Sequence, residues 1–142
     1  MKFWDASAIV PLLSGEMGSE AMNAMAAADP EITVWWGTEV ECASALSRAE
    51  RQAPAAGRAF PDLYQRLAQM ACGWVVVEPC PELKATAVRM LRVHALRAAD
   101  ALQLAAALIA CHYDPNSLAF VTRDDRLALA ADREGFPLAW KR

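Results

Sequence analysis

Hydrophobic runs are short in this sequence. The longest, Leu104–Cys111, is far below the ~20 apolar residues that a membrane-spanning helix needs. The opening MKFWDAS reaches an acid at position 5 and lacks the apolar stretch of a signal peptide, so a cytoplasmic location is expected. Cysteine is sparse and poorly spaced for metal. Cys42, Cys72, Cys80 and Cys111 form no C-x-x-C pair, and neither histidine stands at finger spacing from them. Buried, reduced thiols are expected instead. Lysine is confined to Lys2, Lys84 and Lys141, and the formal net charge is −3. No overall basic character therefore points to nucleic acid, and a polyanion site would have to rely on local arginines or on metal ions. His94 and His112 accompany no G-x-S-x-G elbow, which argues against a Ser/His/Asp hydrolase and leaves both as structural residues. No internal repeat or low-complexity segment is visible.

What is present suits one globular domain, 1–142, with a substantial core: 56% of the residues are apolar and 22% are charged. KFWD (2–5) reads as a strand entering a helix near Ser7, with Pro11 close to that helix's first turn. Helices are expected over 17–28, 38–52, 59–72, 82–95, 97–111 and 123–134, the last stopped by Gly135. Between them fall β-rich segments: ITVWW (32–36), WVVVEP (74–79), LAFVT (118–122) and PLAW (137–140). Trp35 and Trp36 are expected to pack on the sheet. Strands alternating with helices indicate an α/β fold with a mainly parallel sheet of about five short strands.

The segment RAADALQLAAALIAC (97–111) is apolar around almost its whole circumference, yet it carries Asp100. An unpaired charge in such a helix is costly. Other acids fall where strands end: Asp5 after the first, Glu39 and Glu41 after the second, Asp124 and Asp125 after the fourth. Ligands of open α/β sheets bind beyond those carboxyl ends. Each acid also has a local explanation. Thr38-x-x-Glu41 and Thr122-x-x-Asp125 resemble capping boxes, Asp5 suits a helix cap, and Asp100 is spaced to pair with Arg97. Taken together, converging carboxylates would repel one another unless a hard divalent cation sat among them. An all-carboxylate Mg²⁺ or Mn²⁺ site suggests phosphoryl chemistry, with phosphodiester hydrolysis the natural candidate.

Four segments then read as a set: FWDASAIVPLLSGEMGS, EVECASALSRAER, LRAADALQLAAAL and FVTRDDRLALAADREGFPL. In this order and spacing the chain resembles the PIN-domain ribonucleases, and within them the VapC-like toxins of type II toxin–antitoxin pairs. The resemblance implies a PIN-like three-layer α/β/α domain and a metal-dependent endoribonuclease leaving 5′-phosphate and 3′-hydroxyl ends. Its acids fall on Asp5, Glu41, Asp100 and Asp124, which would hold Mg²⁺ or Mn²⁺, with Ser7 and Thr122 orienting carboxylates or water. Glu41 is preferred to Glu39 because the small residues Cys42–Leu46 follow it, and Asp124 to Asp125 because it stands two after Thr122. The resemblance also implies an RNA substrate, a cognate antitoxin whose tail blocks the acidic crevice, and a homodimer.

Arg48, Arg51, Arg97 and Arg123 could form a local basic rim for RNA. The apolar faces of the 17–28 and 59–72 helices (Met17, Ala21, Met25; Leu63, Leu67, Met70) suit either an interface or the core. Two other functions compete. One is a PIN-like binding module without catalysis, although all four acid positions are filled. The other is a phosphorelay receiver, which would want a lysine beyond a later strand, where none stands.

Overall fold

The computed structural model describes residues 1–15, 19–53 and 59–140. Four short strands, β1 (Lys2–Trp4), β2 (Ile32–Trp35), β3 (Val75–Val77) and β4 (Ala119–Val121), form one all-parallel sheet in the order β3-β2-β1-β4. Among the described residues, seven α-helices accompany them, six between the strands and one after the last: α1 (Ala6–Ser14), α2 (Glu20–Ala27), α3 (Thr38–Gln52), α4 (Phe60–Ala71), α5 (Pro81–Val93), α6 (Ala98–Ala110) and α7 (Asp125–Arg133). Parallel strands require such crossovers, and the helices they carry cover both faces of the sheet.

The two-residue period of the strands sorts the core into two halves. Phe3, Trp35 and Phe120 point to one side, where they meet Leu83 and Met90 of α5, the whole middle of α6, and Leu127 of α7. The rings of Phe3 and Phe120 stack at 5.3 Å. Trp4, Val34 and Val121 point to the other side, against Ile9 and Leu13 of α1, Met22 of α2, Leu46 of α3 and Leu67 of α4. The result is the expected three-layer α/β/α arrangement. Ala101 and Leu104–Leu108 are buried, because α6 lies between the sheet, α5 and α7. That position is why its sequence is apolar nearly all round.

Several expectations need correction. PLAW does not form a fifth strand; only Leu138 bridges to Phe120. The bridge consists of Phe120 N–H donating to the Pro137 carbonyl at 2.8 Å and Ala139 N–H donating to Phe120 O at 3.0 Å, and Pro137 has no N–H with which to extend it. Pro11 sits inside α1, not in its first turn. Helix α5 stops at Val93 because His94 takes extended backbone angles. Trp35 is buried, whereas Trp36 is 54% exposed and meets Trp35 edge-on at 6.1 Å. Met25, Leu63, Leu67 and Met70 pack into the second core half, while Ala21 is exposed and Met17 lies outside the described residues. All four cysteines are free thiols, but Cys72 is exposed and Cys80 half-buried. Among the described residues, no helix is long and apolar enough to cross a membrane.

Gly37 ends the link between β2 and α3, and a Cβ there would overlap the Trp35 indole. Gly37→Ala should therefore shift the start of α3 and destabilise the fold by about 1–3 kcal/mol, measurable as a lower denaturant midpoint with unchanged slope.

Candidate functional site

The chain winds from β1 outward to β3, then crosses back to place β4 on the free side of β1. The strand order thus changes direction at β1 and β4, and their carboxyl ends open the crevice where ligands of such sheets bind. Asp5 directly follows β1 and caps α1: its Oδ2 accepts the Ser7 N–H at 3.1 Å, the Thr122 hydroxyl at 2.9 Å and the Ser7 hydroxyl. Each hydroxyl is itself anchored by the loop after β4. Arg123 N–H donates to Ser7 Oγ at 2.8 Å, and Asp124 N–H donates to Thr122 Oγ1 at 3.1 Å. Ser7 and Thr122 therefore hold the Asp5 carboxyl in place. Oδ2 is saturated, so Oδ1 remains as the available oxygen of a buried carboxyl.

Glu41 does not cap its helix. Gly37 occupies the cap position of α3, and both Glu41 oxygens lie 3.2 Å from Gln103 Nε2 on α6. The capping reading of Thr38-x-x-Glu41 is thereby overturned, and Thr38 Oγ1 instead accepts from the same Gln103 amide. Asp100 occupies the first turn of α6, where it is only half-buried, and its Oδ2 takes the Arg97 backbone N–H at 3.2 Å in place of a side-chain ion pair. At β4 the expectation that Asp125 serves as the cap needs correction. Asp124, not Asp125, caps α7, its Oδ1 accepting the N–H groups of Arg126 at 2.8 Å and Leu127 at 2.9 Å. Oδ2 of Asp124 is the oxygen left over.

Asp5, Glu41, Asp100 and Asp124 line one cavity of about 590 Å³, together with Ser7, Ser44 and Arg48. Their charges are felt across it. Burial pushes the Asp5 carboxyl up from its ordinary value; bonds from Ser7 and Thr122 pull against that, and the Asp100 charge adds to it. Burial likewise raises Glu41 to about 7, opposed by Gln103 and reinforced by the charges of Asp5 and Asp100. Behind them the buried Cys42 thiol is pushed up to about 12 by burial and by the Asp5 and Glu41 charges. The acids are nonetheless spread around the cavity. Among the described residues, no three His, Cys, Asp or Glu side chains converge to grip a metal ion directly, which corrects the expectation of a tight cluster.

Of the expected arginine rim, the structure brings Arg48 into the acidic cavity. Arg123 lines an adjoining hollow of about 180 Å³ with Thr122, Asp124 and Asp125. Arg51 and Arg97 are exposed and line neither. His94 is buried with Nε2 2.6 Å from Glu134 Oε1, joining the end of α5 to the end of α7. The residue that sequence reasoning missed is Gln103: it was hidden as one polar letter in an apolar helix, three places after Asp100.

The fold has solved relatives. A toxin–antitoxin complex from Klebsiella pneumoniae contains a chain that matches with a TM-score of 0.64 at 19% identity, covering 90% of this chain and 91% of that one. The crystal structure of PAE2754 from Pyrobaculum aerophilum matches with a TM-score of 0.57 at 20% identity, over 91% of this chain and 84% of that one. At these identities the likeness is one of fold. No protein-family model matches the sequence, and no curated protein matches it either.

The raised Glu41 has a consequence for stability without any ligand. Between the usual 4.5 and about 7, folded Glu41 retains a proton that the unfolded chain has released. The unfolding free energy therefore falls as pH rises through that window and levels off above it. In chelator-containing buffer the melting temperature should decline across that range, and Glu41→Gln should make the decline shallower. An equal slope in both proteins would show that Glu41 does not carry the effect.

Proposed function

We propose that the chain is a metal-dependent endoribonuclease that serves as the toxin of a toxin–antitoxin pair. The observation that carries this reading is Asp5: a buried carboxyl with one oxygen fully committed to Ser7 and Thr122 and the other available to a cavity that three further acids line. Such expenditure of hydrogen bonds on one buried acid is expected where its orientation matters to a ligand. The Klebsiella pneumoniae neighbour, described as a toxin–antitoxin complex, supports the biological role.

The donor set fits a hard cation of the Mg²⁺ or Mn²⁺ kind. All four groups are carboxylates, and the cavity is wide enough for an ion that keeps much of its water and touches only one or two of them directly. Asp5 and Glu41 would be the fixed contacts; Asp100 and Asp124, held by backbone N–H groups, would act directly or through water. When bound there, the cation lowers the pKa of water and offsets phosphate charge. The chain does the rest. Ser7 and Thr122 keep Asp5 aimed, Arg48 at the cavity wall offers a counter-charge to the RNA backbone, and the carboxylates disfavour a phosphate arriving without a cation.

A receiver domain fares worse. The sheet places β1 between β2 and β4, whereas receiver domains of the flavodoxin-like order place it between β2 and β3. A binding module without catalysis would share the same cavity with its widely spread acids, and ion titration separates it from the nuclease. The same reading extends to a cognate antitoxin covering the acidic cavity and to a homodimer.

Asp5→Asn tests the proposal cleanly. Asparagine can still accept from Ser7 and Thr122 through its carbonyl, so the fold should survive while the charge is lost. RNA cleavage in Mg²⁺ or Mn²⁺ should fall by about a hundredfold or more, and the heat of Mn²⁺ binding should vanish with it. Undiminished cleavage by this variant would remove the nuclease assignment; a wild-type protein that shows no acid-dependent heat with Mn²⁺ would be a binding module without catalysis.

A further inference from the structure

We infer that Gln103 is a positioning residue for Glu41, fixing that carboxylate toward the acidic cavity; this rests on the cation-binding reading above. Gln103 is fully buried in α6, one turn after Asp100. Its Nε2 lies 3.2 Å from Thr38 Oγ1 and 3.2 Å from each Glu41 oxygen. The amide has two N–H groups, so one serves Thr38 and the other is shared between the two carboxylate oxygens. Both oxygens of a flexible three-bond side chain are thus tied to a single nitrogen.

The other end of the amide shows what fixes its orientation. Gln103 Oε1 is buried and has no hydrogen-bond partner. An unpaired buried carbonyl is costly, and a glutamine kept only to fill space in an otherwise apolar helix would be better replaced by leucine or methionine. With Glu41 ionised, as a cation-binding group must be, reversing the amide would set two acceptors against each other with no proton between them. The donors toward Glu41 and Thr38 therefore decide the pose, at the expense of Oε1.

The placement is also economical. Helix α3 belongs to one helical layer and α6 to the other, and Gln103 joins them across the carboxyl ends of the strands. The same helix that presents Asp100 thereby sets the position of Glu41. Two of the four acids are coupled through one rigid, buried element.

Calorimetric titration of the full chain with Mn²⁺, together with the electron paramagnetic resonance spectrum of the bound ion, tests this. Gln103→Met keeps the volume and loses the donor; Gln103→Asn keeps the amide one methylene short of Glu41 and covers the case in which the methionine variant does not fold. Either should weaken Mn²⁺ binding about 10- to 100-fold and alter the spectrum. Combined with Glu41→Gln, neither should weaken binding beyond Glu41→Gln alone. Leu104→Ala, which loosens the same helix without touching Glu41, should lower the melting temperature and leave the affinity where it is. Folded Gln103 variants with wild-type affinity, losses additive with Glu41→Gln, or an equal loss in Leu104→Ala each overturn the role of Gln103 alone. A wild-type protein whose Mn²⁺ binding is absent or indifferent to Asp5→Asn removes the cation site and this inference together.

Discussion

The molecule is organised around a negative charge taken out of water at the end of its central strand. Asp5 is buried, and a buried carboxylate persists only if hydrogen bonds replace its hydration. Those bonds come from Ser7 at the start of α1 and from Thr122 just beyond β4. The first and last strands of the sheet, far apart in sequence, are therefore locked side by side by backbone pairing and again by this side-chain knot. Moving any one of the three residues disturbs the other two. The site is thus part of the reason the sheet closes where it does.

That knot also explains the distribution of acids. Each helix that begins at the rim of the cavity offers unpaired N–H groups. Asp5, Asp100 and Asp124 each satisfy some of these with one oxygen. Local helix capping and service in a shared cavity are therefore compatible, because a carboxylate has two oxygens. Glu41 differs: its helix is capped by Gly37 and not by Thr38, and the freed carboxylate turns to Gln103 instead.

Much of this was legible in the sequence. Alternation of β-rich segments with helices pointed to an α/β fold with a mainly parallel sheet, and the resemblance added the three layers. Asp5, Glu41 and Asp124 could be placed at strand ends because strand ends were readable, and Asp100 stood out as a charge in an apolar helix. Other features were not legible, for identifiable reasons. PLAW has strand-like letters, but Pro137 removes the donor that would have extended pairing. The choice between Asp124 and Asp125 as the cap depends on where the chain leaves β4, a backbone matter of one residue. Gln103 was invisible because its partner lies 62 positions away, and nothing local distinguishes a buried glutamine with a distant carboxylate from a surface one.

The four cysteines show how unevenly the fold distributes reactivity. Cys42 stands behind the acidic wall, its thiol pushed up to about 12, while Cys72 lies exposed at the end of α4. By exposure alone, a maleimide dye would reach Cys72 and pass over the buried Cys42. The protein thus comes with a ready attachment point for a fluorophore, on a helix that contributes nothing to the carboxylate-lined hollow.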